Sequence, residues 1–303
     1  MNLYHQYRRS MSQAYRRISS GGKVIETSCG AVQYAEIGDG PPVLMVHGAG
    51  GGYDQGQYFA KLIGGNYRWI CPSRFGFLGT PAPEGANSSM QAEAHAALLD
   101  ALEIDRVNVV GVSMGGPSCL LFALQYPQRT RSLVMISAAS HAIKPRPAIQ
   151  AALFSVFLYD FIFWSLVRFS PKALLVALGV PAEIQKELTP DEVAELQTFL
   201  ESIIPMGARR KGQSLEQQMS EYDAAQIKNI QVPTQVLHAR DDTLVSFEHG
   251  EFTAKSIPDA QFSIMEKGGH LALMLRSNTG ARRKILEFLE HYHSPVPTKT
   301  FTV

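Results

Sequence analysis

A chain of 303 residues is long enough for one large domain, or for one domain carrying an insertion. Hydrophobic residues make up 45% of it, enough for a sizeable core, which excludes disorder as the overall state. A formal net charge of +1 supplies no field that favours nucleic acid, and no nucleic-acid partner is expected.

The first twenty residues, MNLYHQYRRSMSQAYRRISS, place Tyr4, Tyr7, Met11, Tyr15 and Ile18 three or four apart, so a helix gathers them on one face. Arg8, Arg9, Arg16 and Arg17 project around the rest, and no acidic residue precedes Glu26. Two readings stay open for this arm. It is a basic amphipathic helix at an anionic membrane surface, a pattern that overlaps with organellar transit peptides, or an arm packed on the protein or left disordered. The N-terminus lacks the apolar centre of a secretory signal, and the three cysteines, Cys29, Cys71 and Cys119, have neither disulfide-framework nor metal-ligand spacing. A cytoplasmic, reducing location is expected, with peripheral membrane contact as the open addition.

Short β-rich runs then alternate with helical patterns: AVQYAEI (31–37), VLMVH (43–47), YRWIC (67–71), a helix over 88–102 capped by Ser88 or Ser89, VNVVGV (107–112), a helix over 116–126 closed by Pro127, and SLVMIS (132–137). From about 140 to 230 the pattern is helical, without a convincing strand. Its apolar stretch 151–167 falls short of the roughly 20 residues of a spanning helix and carries Asp160, so it reads as soluble or interfacial. Alternation resumes with TQVLHA (234–239) and QFSIM (261–265), before a closing helix at 280–292. The expected fold is α/β, a mostly parallel sheet flanked by helices, divided into a basic arm (1–22), a first core segment (23–139), a helical insertion (140–230) and a second core segment (231–303).

The stretch VVGVSMGGPS (109–118) ends a strand on Gly111-Val112-Ser113-Met114-Gly115 and opens a helix. An exposed serine on so sharp a turn needs small residues two before and two after it, because larger ones collide with the flanking strand and helix. A serine hydroxyl also needs a base, and the base an orienting carboxylate. QVLHARDDTLVS (235–246) ends a strand on Asp241 and Asp242, and IMEKGGHLALM (264–274) ends the last one on Gly-Gly-His270. The Met114 N–H, at the start of a helix, points at the site as an oxyanion donor.

Taken together, the three motifs in the order Ser, Asp, His resemble the α/β-hydrolases over about 200 residues. The resemblance implies Ser113 as nucleophile, His270 as base and Asp242 as acid, with Asp241 a solvated turn residue. It implies Ala49 as second oxyanion donor, with Gly50 next in line, and His47 as a prop for their loop. It also makes the insertion a cap. Within it, Phe154, Phe157, Phe161 and Trp164 are either ordinary cap packing or the lining of an acyl pocket, and Arg209, Arg210 and Lys211 read as a solvated face. The chain departs from the family at CPSRFGFLGT (71–80), which keeps Arg74 and Gly76 only in a shifted form.

HGAGGGY (47–53) closes no dinucleotide fingerprint in either register, so no cofactor is expected. His291 and His293 lack a carboxylate at ligand spacing, so no metal is expected. His95 reads as exposed, and His5, His141 and His249 have no evident partners. The implied activity is hydrolysis of an apolar carboxylic ester through an acyl-enzyme. The alternatives are a carbon–carbon bond hydrolase, because HARDDTLVSFEHG (238–250) resembles the corresponding turn of ring-cleavage-product hydrolases, and a small-ligand receptor that rarely turns over. Oligomeric state is not legible.

Overall fold

Residue parity along the strands sorts the core. In β3 (Pro42–Val46), Val43 and Met45 face one side of the sheet while Leu44 and Val46 face the other. The same alternation splits Val110 and Val112 from Val107 and Val109 in β5 (Val107–Val112), and Val134 and Ile136 from Leu133 and Met135 in β6 (Thr130–Ile136). Both faces are therefore apolar and both are covered, as parallel sheets require. The structure, a computed structural model, describes residues 2–143 and 159–293.

The remaining strands are β1 (Lys23–Thr27), β2 (Gly30–Ile37), β4 (Arg68–Pro72), β7 (Thr234–Ala239) and β8 (Gln261–Met265). All eight form one sheet in the order β1-β2-β4-β3-β5-β6-β7-β8. Pairing is antiparallel for β1 with β2 and β2 with β4, and parallel from β4 onward. The seven strands expected from the sequence are all present within two residues; β1 is the addition. It is an edge strand with Val24 58% exposed and only Ile25 packed on the core, too little apolar alternation for a sequence pattern to betray.

Helices α2 (Tyr53–Ile63) and α11 (Thr279–His293) cover one face; α3 (Ser88–Ala101), α4 (Gly116–Gln125) and α10 (Phe247–Ser256) cover the other. The N-cap of α3 is Asn87, whose side chain accepts from the Met90 amide, one residue before the expected serines. His95 of α3 is buried, not exposed, with Nε2 3.3 Å from Ser118 Oγ of α4. The alanine-rich surface of α3 packs tightly enough on α4 to enclose it.

Between β6 and β7 the described residues form the cap helices α5 (Asp160–Phe169), α6 (Pro171–Ala177), α7 (Ala182–Glu187), α8 (Pro190–Ser202) and α9 (Arg210–Met219). Two buried ion pairs hold them to the core. Arg74 bonds Glu216 of α9 through two N–H···O contacts of 2.6 and 3.2 Å. Arg209 bonds Asp54 of α2 at 2.6 and 2.9 Å, and its other donors reach the carbonyls of Gly51, Ser202 and Ile203. Arg209 is thus wholly buried rather than part of a solvated face, because every guanidinium N–H has an acceptor.

The N-terminal arm is helix α1 (Leu3–Ser20), begun by Asn2, whose side chain accepts from the His5 amide. Met11, Ala14 and Ile18 are buried against the body, and Tyr7 packs edge-on to Phe161 and Trp164 of α5. Arg17 donates to the carbonyls of Ser202 and Ile204. Much of the face that a membrane would need is spent on the protein, leaving Leu3, Tyr4 and Tyr15 exposed. No described helix is long and apolar enough to cross a membrane.

Burying side chains the size of Met11 and Ile18 contributes about 1.5–3 kcal/mol each. A protein starting at Gly21 is therefore expected to melt several degrees lower than the full chain, with Trp164 more exposed to solvent. Differential scanning calorimetry and the Trp fluorescence maximum check this.

Candidate active site

Ser113 stands between β5 and α4 with φ +50, a left-handed conformation that a non-glycine residue adopts only when its surroundings impose it. The surroundings are tight. A Cβ on Gly111 would lie 2.8 Å from Cys119 Sγ, one on Gly115 would lie 2.6 Å from the Val46 carbonyl oxygen, and one on Gly48 would lie 2.8 Å from Ser113 Cβ. The two motif glycines thus let the turn close, and Gly48 lets the loop after β3 approach the serine.

His270 arrives from a loop after β8 that opens with Gly268 at φ +127 and Gly269 at φ +63. Its Nε2 is 2.9 Å from Ser113 Oγ, and its Nδ1 is 2.8 Å from Asp242 Oδ2. The other oxygen of Asp242, Oδ1, accepts from the amides of Leu244 and Val245. Burial pushes the Asp242 pKa up, but the neighbouring His270 and hydrogen bonds from His238 and His270 outweigh it and hold the carboxyl below its ordinary range. Ser113, His270 and Asp242 are therefore brought together as one hydrogen-bonded relay, with a carboxylate placed to fix the imidazole tautomer.

Asp241 is not a free turn residue. Its two carboxylate oxygens accept from the Gly268 and Gly269 amides at 3.0 and 2.8 Å, which fastens the His270 loop to the end of β7. The His270 amide in turn donates to the Gly179 carbonyl of the cap at 2.9 Å. The doubled aspartate was the available signal, but only the fold shows that each one holds a different side of the same loop.

Ala49 and Met114 both line the cavity beside Ser113. Met114 opens a helical turn, where the first amides have no partner within the helix. Of the two candidates after His47, the Gly50 amide is committed to Gln213 Oε1 of α9 at 2.8 Å, which leaves Ala49 as the oxyanion candidate. His47 braces this loop: Nδ1–H donates to the Gly48 carbonyl and Nε2 accepts the Arg74 amide. Arg74 Nε donates to the His47 carbonyl, so the shifted Arg-x-Gly turn still supports the loop.

The cavity beneath the cap is about 880 Å³. Its apolar walls include Phe59, Ile136, Phe163, Leu174, Phe199, Ile203, Met206, Leu271 and Met274, and its polar ones Ser113, His141, Gln213, Glu216, Glu248, His249 and His270. Phe161 and Trp164 are not among them. Phe161 is 45% exposed and Trp164 is buried against α1, because the arm takes that face of α5 and turns Phe163 toward the cavity. Phe154 and Phe157 lie outside the described residues. His249, which had no evident partner, accepts the Ser140 amide at Nδ1 and stacks on His141 with ring centroids 3.9 Å apart. Among the described residues no cluster of His, Cys, Asp or Glu is arranged to hold a metal ion.

A family model described as the alpha/beta hydrolase fold matches residues 41–277. The chain is 29% identical over 289 residues to the 2-hydroxy-6-oxo-2,4-heptadienoate hydrolase of Pseudomonas putida, covering 90% of this chain and 95% of that protein. It is 29% identical over 250 residues to the 2-hydroxy-6-oxo-6-phenylhexa-2,4-dienoate hydrolase of Burkholderia cepacia, covering 78% and 84%. Among solved structures, an alpha/beta hydrolase fold protein from Nakamurella multipartita superposes with a TM-score of 0.76 at 28% identity, covering 89% of this chain and 99% of that one.

Three buried histidines make the fold acid-sensitive. Burial, with Arg74 nearby, holds His47 well below its ordinary pKa and pushes His95 down to about 3; burial, with His141 and His238 nearby, lowers His249 to about 4. Each is neutral when folded but binds a proton once unfolded below about pH 6.5. Their contribution is full above that pH and is lost as pH falls toward 4. Denaturant titrations between pH 7 and 4.5 should show stability dropping with a slope that grows to about three extra protons taken up on unfolding. His95→Gln should remove about one of them.

Proposed function

The chain belongs to the α/β hydrolase fold family, and within it we propose a serine hydrolase that cleaves the carbon–carbon bond beside a ketone in ring-cleavage products of the 2-hydroxy-6-oxo-dienoate class. The observation that carries the hydrolase reading is the relay from Asp242 through His270 to Ser113, opening on a largely apolar cavity beneath the cap. The names of the relatives support the carbon–carbon choice over the ester favoured by sequence motifs alone.

In this reading Ser113 Oγ attacks the ketone carbon while His270 Nε2 takes its proton, and Asp242 holds Nδ1–H toward itself. The amides of Met114 and Ala49 receive the oxyanion. Carbon is a poor leaving group unless its electron pair is delocalised. A dienol that loses its C2 hydroxyl proton and gains one at C5 becomes a 2-keto-3-ene, and the pair released when the C5–C6 bond breaks then spreads through the double bond onto the C2 oxygen. The collapsing intermediate leaves an acyl group on Ser113 and a dienolate that takes the proton from His270 and departs. The neutral His270 then activates water, which releases the acyl group as a carboxylic acid.

One observation favours simple esters as a second reading: among the described residues lining the cavity there is no Lys or Arg to meet a dienoate carboxylate. The deciding comparison sets a 2-hydroxy-6-oxo-dienoate, followed by loss of its conjugated absorbance, beside p-nitrophenyl esters of increasing acyl length. Sustained dienoate turnover with a kcat/KM well above that of the best ester is the expected result. Ester turnover alone would leave an esterase, and no turnover of either a binding protein.

Ser113→Ala should lose several orders of magnitude in kcat and all labelling by a phosphonate probe. Asp242→Asn should cost on the order of 10⁴ in kcat through the wrong imidazole tautomer. Asp241→Asn, which retains one acceptor for the loop, should cost only about tenfold. The reverse order for the two aspartates would move the acid one residue along the turn.

A further inference from the structure

Beside the nucleophile the fold builds a second polar device that the relay does not use. Two consecutive amides after β6 make different bonds. The Ala139 N–H donates to the Ser113 carbonyl at 3.0 Å, and the Ser140 N–H donates to His249 Nδ1 at 3.2 Å. The His249 ring is thereby tied to the backbone that carries the nucleophile.

The bond fixes the tautomer. A ring nitrogen that accepts an amide proton carries none of its own, so the neutral imidazole has its hydrogen on Nε2. Burial and the neighbouring His141 keep the ring neutral at pH 7. Ser140 Oγ spends its hydrogen on the His249 carbonyl at 2.9 Å, leaving a lone pair 3.1 Å from His141 Nδ1. His141 stacks on His249 at an interplanar angle of 18°, which locks the orientation. The ring lines the cavity that Ser113 lines, and with Nδ1 spent on the Ser140 amide, Nε2–H is the donor left to meet a ligand there.

We propose that His249 is a specificity-determining residue whose Nε2–H donates to a second oxygen of the substrate, a carbonyl or enol oxygen beyond the carbonyl that Ser113 attacks. This deepens the function proposed above, since a 2-hydroxy-6-oxo-dienoate carries such oxygens and a simple fatty ester does not. A preoriented donor inside an apolar cavity discriminates by what is left unpaired. Filled by a hydrocarbon chain, the cavity strips water from the N–H and offers nothing in return.

The test uses p-nitrophenyl esters in near-isosteric pairs, an oxo group against a methyl branch at position 4, 5 or 6 of the acyl chain, together with a 2-hydroxy-6-oxo-dienoate. The wild type should prefer the oxo member of at least one pair by about tenfold in kcat/KM. His249→Phe keeps a ring to stack on His141 but has no donor, and should bring that ratio close to one. His249→Gln keeps both an acceptor for Ser140 and an N–H donor, and should restore part of it. A wild-type ratio below two at every position overturns the assignment, as does a ratio that survives in His249→Phe while both rates and the melting temperature fall together. Failure of the wild type to turn over the dienoate would overturn the carbon–carbon reading alone, because the ester pairs still judge His249.

Discussion

The backbone of Ser113, held at φ +50 between a strand and a helix, is the constraint from which the rest of the site follows. Such a conformation costs about 1–3 kcal/mol and lasts only where neighbours overdetermine it. Here β3 and β5 are adjacent parallel strands, so the loop after β3 must pass the elbow at contact distance. Gly48, Gly111 and Gly115 are the places where a side chain would collide. The same closeness sets Ala49 and Met114 along the cavity wall with Ser113, whose hydroxyl meets His270.

The cap is part of this arrangement, and no free lid. Glu216 holds Arg74, which holds both the ring and the carbonyl of His47, and His47 braces the loop bearing Ala49. Gln213, one turn earlier on α9, takes the Gly50 amide, and Gly179 takes the His270 amide. A buried pair such as Arg74–Glu216 or Arg209–Asp54 contributes little net stability, because desolvation offsets much of the attraction. Breaking one leaves an uncompensated charge inside the protein, a cost of roughly 3–5 kcal/mol. The pairs thus act less as glue than as a penalty on displacing the cap, which keeps the Gly48–Gly50 loop and the His270 loop in register.

Histidines divide by what their nitrogens meet. His47 and His95 are enclosed and serve packing and bracing, whereas His270 and His249 both line the cavity. His270 is linked to a carboxylate, suited to taking a proton and holding the charge. His249 is linked to a backbone amide, suited to staying neutral and donating. The environment, not the residue type, sets what each imidazole can do.

The sequence by itself determined seven strands and the elbow, because short runs of β-branched and apolar residues and the sterics of glycine are local properties that leave a local mark. It also determined that a serine, two aspartates and a histidine follow the ends of three strands, β5, β7 and β8, and a parallel sheet delivers strand ends to one edge. Only tertiary structure decided the roles of residues whose partners lie far along the chain. Arg209 read as solvated until Asp54, 155 positions away, supplied its carboxylate. Asp241 read as a turn residue until the Gly268 and Gly269 amides closed on it, and His249 as unpartnered until Ser140 did. Phe161 and Trp164 stood open between cap packing and pocket lining until α1 claimed their face of α5. A charge or an aromatic ring has the same appearance in sequence whether it meets water, a counter-ion or another ring. The difference is desolvation, which exists only once the chain has folded.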